Sequence, residues 1–303
     1  MNGPFLSLCK QYSRVWHLSQ SYFENRGFLY ASTPVLAPCS GEKYNDTIEI
    51  NVNGCRAALA DSPQLYKMML VMNGVDRYYQ FAHCFRPITE EENNVRLTEF
   101  TQIDAEWNDK SLERLCSLAL DFVAEIAEAF GLSPTIHIIN GMDCRRMYGN
   151  EMKPNLAARK GELSIVLIRY MPLIEACTGP SQSLTPCHHI FALPCRPEKI
   201  HPGMAESEML QMTTESFDIV VNGIEIGGGD IRISDAQLQR VMMDSFGVKS
   251  KRYTDYLELL TQKGNRLGGG FAIGLERLMM VLTGADCLCD AAIFPDYFKN
   301  GVW

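Results

Sequence analysis

The sequence predicts an α+β fold, an antiparallel β-sheet flanked by helices, in a single domain. Three observations carry this. Residues 77–107 read as two strands joined by a long polar loop, with apolar alternation up to Arg86 and again from Glu99. Asn53-Gly54 and Asn222-Gly223 each interrupt an alternating run, the strongest short signal for a hairpin. Residues 11–26 and 111–130 carry apolar side chains at helical spacing.

Taken in order, the first helix runs over 11–26, with Val15, Leu18 and Tyr22 on one stripe and Gly27 as its stop. A short strand over 28–30 leads to Thr33-Pro34-Val35-Leu36, and 38–46 is a turn-rich loop containing Glu42. A hairpin covers 48–59. Ser62 then makes a good N-cap and Pro63 a good first helical residue, which puts Gln64 and Lys67 on one helix face. Alone, that is a capped surface helix with a solvated lysine.

The strand after Glu99 places Phe100, Gln102, Asp104 and Glu106 on one face. One aromatic among three polar residues is a poor core face and a good floor for a site. Arg86, at the end of the preceding strand, offers a guanidinium to an anion. The helix over 111–130 is scaffold, with Gly131 as its C-cap. From 133 to 159 the signal is weak; 165–168 is a strand.

Residues 217–226 form the second Asn-Gly hairpin. Val220 lies opposite Glu225, and Asp218 lies diagonal to Glu225, roughly 7–8 Å away on the same face. Two such carboxylates suit magnesium and a phosphate group; otherwise they are two solvent-facing acids. Gly227, Gly228 and Gly229 let backbone approach a ligand, and Arg232 offers a planar fork for a carboxylate. Asp235 caps the next helix. A glycine-rich strand then enters a helix, with Arg277 in its first turn where anions are favoured.

Composition narrows the classes. The chain has 303 residues, 46% hydrophobic, enough for a sizeable core. Its net charge is −8, and it has no lysine/arginine block, which weighs against gripping nucleic acid as a main task. No apolar run suffices for a bilayer, and the N-terminus lacks signal-peptide layout. Eleven scattered cysteines without a CxxC pair read as reduced thiols. The expectation is a cytoplasmic protein with no membrane partner.

Several strings together resemble the class II aminoacyl-tRNA synthetases, in wording closest to the aspartyl enzymes. They are TPVL at 33–36, SPQLYK at 62–67, Phe85-Arg86 followed by Arg96 and EFTQID at 99–104, His188-His189, GGGDIR at 227–232 and GGGFAIGLERLMMVLTGAD at 268–286. They cover nearly the whole chain in the family's order. The resemblance implies ATP-dependent, AMP-forming activation of an amino acid by a homodimer. It implies Arg86 on the α-phosphate, Phe100 stacked on adenine with Glu99 beside it, Arg277 on the γ-phosphate, and Mg2+ on Asp218 and Glu225. Ser62, Gln64 and Asp104 would hold the substrate ammonium. Lys67, Arg232 and His188 or His189 would read the side chain, and two cations there favour aspartate over asparagine. Glu42 would close over the amino acid.

The chain also departs from the family pattern. Ile88 replaces a glutamate, and the loop after it carries Glu90, Glu91 and Glu92. Asp230 stands where serine is usual, Ile190 replaces a proline, and Cys289 replaces an arginine. Only residues 1–10 precede the first helix, where the family has an anticodon-binding barrel, and a short segment at about 133–185 stands for its inserted domain. The expectation is therefore an aspartate-activating ligase with a non-tRNA acceptor. The alternatives are a truncated aspartate–tRNA ligase, an ammonia-using asparagine synthetase-like enzyme, or a non-catalytic aspartate- or adenylate-binding paralogue.

Overall fold

The computed structural model describes residues 3–37, 47–87, 96–157, 162–175 and 185–295. Glu42, Ile88 and the acids Glu90 to Glu92 lie outside them.

An eight-stranded sheet runs through the molecule in the order β1-β5-β6-β11-β10-β9-β8-β7. Its strands are β1 (Leu29–Tyr30), β5 (Arg77–Phe85), β6 (Glu99–Trp107), β7 (Pro134–Asn140), β8 (Leu163–Arg169), β9 (Ser216–Val221), β10 (Ile224–Ile231) and β11 (Gly269–Gly274). The six from β5 to β8 in that order pair antiparallel, as expected. The outer pairs β1–β5 and β7–β8 are parallel, so the sheet is mixed. Parallel neighbours need a long crossover. The first pair has one through the small sheet of β2 (Leu36–Ala37), β3 (Glu49–Val52) and β4 (Cys55–Leu59) and helix α2 (Gln64–Met72). The second has one through α4 (Gly141–Tyr148).

Period-2 alternation divides the sheet into a dry face and a working face. Ile103 and Ala105 of β6, Phe217 and Ile219 of β9, and Phe271 and Ile273 of β11 enter one apolar core. Helices α1 (Pro4–Glu24) and α3 (Leu112–Ala129) cover it. Phe23 of α1 lies between Tyr79 and Phe122, both ring centroids 5.2 Å away. Burying side chains of this size dominates core energetics. On the opposite face α2, α6 (Ala236–Ser245) and α7 (Thr254–Lys263) build a second core from Met68, Phe191, Ile233, Met243 and Tyr256. The remaining working face, flanked by α8 (Leu275–Thr283), is a cleft.

Local signals explain most boundaries. Asp235 accepts the Leu238 N–H, so its predicted cap forms, and the Ser111 hydroxyl caps the long helix α3 by accepting the Arg114 N–H. Both Asn-Gly turns have positive φ at both residues, the geometry a two-residue hairpin needs. Three boundaries differ. Helix α1 begins at Pro4, because a proline at its start presets the helical φ where side chains are still exposed. Helix α2 begins at Gln64, leaving Pro63 at the cap position while Ser62 Oγ accepts the Gln64 N–H at 3.2 Å. The weak stretch after 133 holds both β7 and α4.

Candidate active site

A cavity of about 330 Å3 opens on the working face. Strand β6 contributes Phe100 and Gln102, and α2 contributes Gln64 and Lys67. Strand β9 brings Asp218, β10 brings Glu225 and Asp230, and Arg232 follows β10 directly. His188 and His189 arrive on the segment before Phe191, Arg86 follows β5, and Arg277 sits in the first turn of α8. Ten of the thirteen candidate site residues that lie among the described residues thus line one cavity.

The other three do not line it. Asp104 lies behind Lys67, 1% exposed. Ser62 is occupied in capping α2. Glu99 lines a second cavity instead, beside Trp16 and Phe294, which Phe100 also borders.

The amino-acid end is a dry ionic network. Lys67 Nζ lies 2.8 Å from Asp104 Oδ2 and 3.5 Å from Glu106 Oε2. Arg232 Nε and Nη2 donate to the two Glu106 oxygens, each at 2.8 Å. Its Nη1 lies 2.5 Å from Asp230 Oδ1. Asp230 Oδ2 lies 2.8 Å from His189 Nε2 and 3.2 Å from His188 Nδ1, and His188 Nε2 lies 3.0 Å from Asp218 Oδ1. Glu106 was on the polar face read from the sequence but carried no role there; alternation alone does not say which arginine it meets. Two glycines make the crowding possible. A Cβ on Gly270 would sit 2.0 Å from Glu106 Oε2, and one on Gly228 would sit 2.4 Å from Asp218 Oδ1.

The charges follow from this packing. Burial pushes the Asp104 carboxyl up to about 6, against the pull of Lys67. Burial also raises Asp230, but Arg232 and the two histidines outweigh it and hold the carboxyl well below the usual range. Burial lowers His188, yet Asp218 and Asp230 on its two nitrogens raise it well above an ordinary histidine. Asp218 is raised, first by burial, with Glu225 adding repulsion. Asp104 Oδ1 and Gln64 Nε2 are buried with no hydrogen-bond partner among the described residues.

His188, His189 and Asp230 have the spacing of a metal-ligand set. Their hydrogen bonds read otherwise. His189 Nδ1 accepts the Phe191 N–H at 3.3 Å, which leaves the ring proton on Nε2, the nitrogen facing Asp230. Arg232 Nη1 also lies 3.0 Å from that nitrogen. The two imidazoles thus pack as hydrogen-bonding groups around the Asp230 carboxylate.

The phosphate end is wetter and looser. The Arg86 guanidinium lies over the Phe100 ring, 4.0 Å from its centroid. Arg277 donates to the Glu225 carbonyl at 2.8 Å and lies 3.6 Å from its carboxylate. Next to it, buried Glu276 accepts the Thr101 N–H on both oxygens and ties α8 to β6. Burial pushes its carboxyl up to about 7.

Mixed sheet, flanking helices and cleft together define a class II synthetase-type catalytic core. The chain belongs to the family of class II tRNA synthetases for D, K and N, whose model matches residues 5–297. It is similar to the aspartate–tRNA(Asp/Asn) ligase of Syntrophotalea carbinolica, 24% identical over 416 residues that include 93% of this chain and 69% of the relative. Among solved structures it is similar to the Pyrococcus horikoshii asparaginyl-tRNA synthetase complexed with asparaginyl-adenylate, with TM-score 0.74, 17% identity, and coverage of 96% of this chain and 68% of that one. The Entamoeba histolytica asparaginyl-tRNA synthetase with asparaginyl-adenylate gives 0.73, 17%, 97% and 68%. The chain spans about two thirds of the length of these relatives. Among the described residues no helix is long and apolar enough to cross a membrane.

Proposed function

We propose that this chain activates an amino acid of the aspartate–asparagine class as its adenylate and passes the aminoacyl group to an acceptor other than bulk tRNA. The observation that carries the first part is one cavity lined by Arg86, Phe100, Asp218, Glu225 and Arg277 at one end and by Gln64, Lys67, His188, His189 and Arg232 at the other. In the reaction an α-carboxylate oxygen attacks the α-phosphorus of ATP, the bond to the β-phosphate oxygen breaks, and pyrophosphate leaves. Such a step needs positioning and charge neutralisation more than proton transfer. Arg86 and Arg277 supply fixed positive charge, and Phe100 offers a ring to the base.

Asp218 and Glu225 would hold Mg2+, which supplies charge neutralisation to the phosphates when bound. The fit lies in their mutual repulsion, which contributes to raising Asp218 and which a divalent cation relieves. A homodimer through β1 and the following segment agrees with the exposed Leu29, Tyr30, Val35 and Leu36.

The acceptor reading rests on the net charge of −8 and on the acids Glu90, Glu91 and Glu92 beside the motif arginine, which repel a phosphate backbone. The names of the relatives favour tRNA charging as the second reading. The test is amino-acid-dependent ATP–pyrophosphate exchange across the standard amino acids, beside aminoacylation of total tRNA at moderate salt. We expect exchange without charging. Charging at a rate comparable to exchange overturns the acceptor reading, and no exchange with any amino acid overturns adenylate formation.

A further inference from the structure

We propose that Asp230 fills the subsite for a substrate side-chain carboxylate, so that the cleft selects an amino acid with an uncharged, hydrogen-bond-donating side chain, with the length of asparagine, over aspartate. This rests on reading the cleft as an amino-acid-activating site and reverses the preference that the motif residues suggest on their own.

The argument starts from which groups meet. Arg232, His188 and His189 are the residues that the family resemblance directs at the substrate side chain, and all three converge on the two oxygens of Asp230. The carboxylate they would bind is supplied by the chain itself. A serine at this position would leave the Arg232 Nη1 and both imidazoles facing the ligand. With aspartate there, each cation at this end already has a carboxylate of its own. Lys67 has Asp104 and Glu106, while Arg232 has Glu106 along one edge and Asp230 at Nη1.

Charge then decides the class of ligand. Lys67 and Arg232 face Asp104, Glu106 and Asp230, all five at most 2% exposed, and a charged His188 brings its own second carboxylate, Asp218, so carboxylates outnumber cations by one either way. A substrate carboxylate would add another negative charge where water cannot screen it, and an unpaired buried charge is strongly disfavoured. A cationic side chain fails for the opposite reason. Asp230 is ringed by Arg232 and two imidazoles within 3.2 Å, and a further cation would be forced against them.

A neutral donor fits. Asp230 lines the cavity, and its Oδ1 has a single close partner, Arg232 Nη1, although a carboxylate oxygen has two lone pairs. Oδ1 therefore has acceptor capacity left for an amide N–H. A site whose buried polar groups complement one ligand rejects the analogue that cannot satisfy them, because those groups are then left unpaired.

The experiment compares L-asparagine with L-aspartate on the wild-type chain, Asp230→Ser and Asp230→Asn. Two readouts are taken, calorimetric binding and ATP–pyrophosphate exchange. We expect the wild type to favour asparagine by roughly tenfold or more, and Asp230→Ser to shift the ratio toward aspartate by at least a similar factor. Asp230→Asn keeps the shape and removes the charge, so it should shift the ratio the same way if the serine variant does not fold. Tighter binding of aspartate by the wild type overturns the proposal, as does a ratio unchanged in both variants or no binding of either amino acid. Selective asparagine binding without any exchange overturns adenylate formation while supporting the role of Asp230.

Discussion

At the phosphate end of the cleft, Arg277 keeps 26% of its side chain exposed and touches a glutamate that is itself 43% exposed. At the amino-acid end, Arg232 keeps 2% and is matched by two carboxylates that are both fully buried. The two arginines belong to motifs of the same family and line the same cavity, yet their physical situations differ. An arginine in water that keeps weak partners is ready to take a phosphate. An arginine locked into a dry network contributes first to holding that network together. A motif arginine therefore acts as a ligand group only to the extent that the rest of the fold leaves its charge unmatched.

The contrast is broken most severely by removing a cation from the dry end. Lys67→Met leaves Asp104 and Glu106 short of a partner and should cost about 3–5 kcal/mol at pH 8. The cost depends on pH with a definite sign. The Asp104 carboxyl is raised by burial from 3.8 to about 6, so its contribution favours folding below about 3.8 and is lost as pH rises through 6. Without Lys67 it rises further and is neutral at pH 5. Denaturant midpoints at pH 8 and pH 5 should show the penalty shrinking on acidification, and a constant penalty would contradict the ionic account.

At the open end the expected loss is catalytic. Arg277→Ala should lower ATP–pyrophosphate exchange by roughly 10²–10³-fold, the usual effect of removing one charge-stabilising group. Wild-type exchange in that variant would remove Arg277 from the phosphate site.

Glu276→Gln sharpens the boundary between the ends. The Glu276 carboxyl is raised from 4.5 to about 7, mainly by burial, so its contribution to folding is lost as pH climbs through that window. The glutamine keeps an acceptor for the Thr101 N–H and has no charge to bury. Relative to wild type it should gain about 2–3 kcal/mol between pH 4 and pH 8 at ~1.4 kcal/mol per unit, read from urea melts. A flat difference would show that Glu276 is solvated. The smallest effect belongs to the scaffold, where Ser111→Ala should cost about 1 kcal/mol through the lost cap of α3 and leave exchange unchanged.

How much of this was legible in the sequence follows the same division. The strands β5 and β6, the helix α3 and both Asn-Gly hairpins rest on local signals, and they appear where those signals put them. The pairing of Val220 with Glu225 also holds, but a bulge between Glu225 and Gly227 then sets Asp218 opposite Gly228. Such an irregularity leaves no mark in period-2 alternation. Strand β7 has its exposed isoleucines, Ile136 and Ile138, at the sheet edge, so it lacks the half-buried pattern that betrays a strand. The oddity of Asp230 was visible as a departure from the family string. Its consequence was not, because its histidine partners come from a segment some forty residues earlier, and Glu106 reaches the same arginine from β6.

The most direct test of the difference between the two ends is a pair of denaturant unfolding curves, for Arg232→Ala and Arg277→Ala, measured in one buffer at pH 7.5 against the wild type. The first removes a buried partner of Glu106 and Asp230 and should lose about 3–5 kcal/mol. The second removes a partly exposed cation and should stay within about 1 kcal/mol of wild type. Equal losses, or a larger loss for Arg277→Ala, would contradict the account of one end built to hold itself together and the other left open for a ligand.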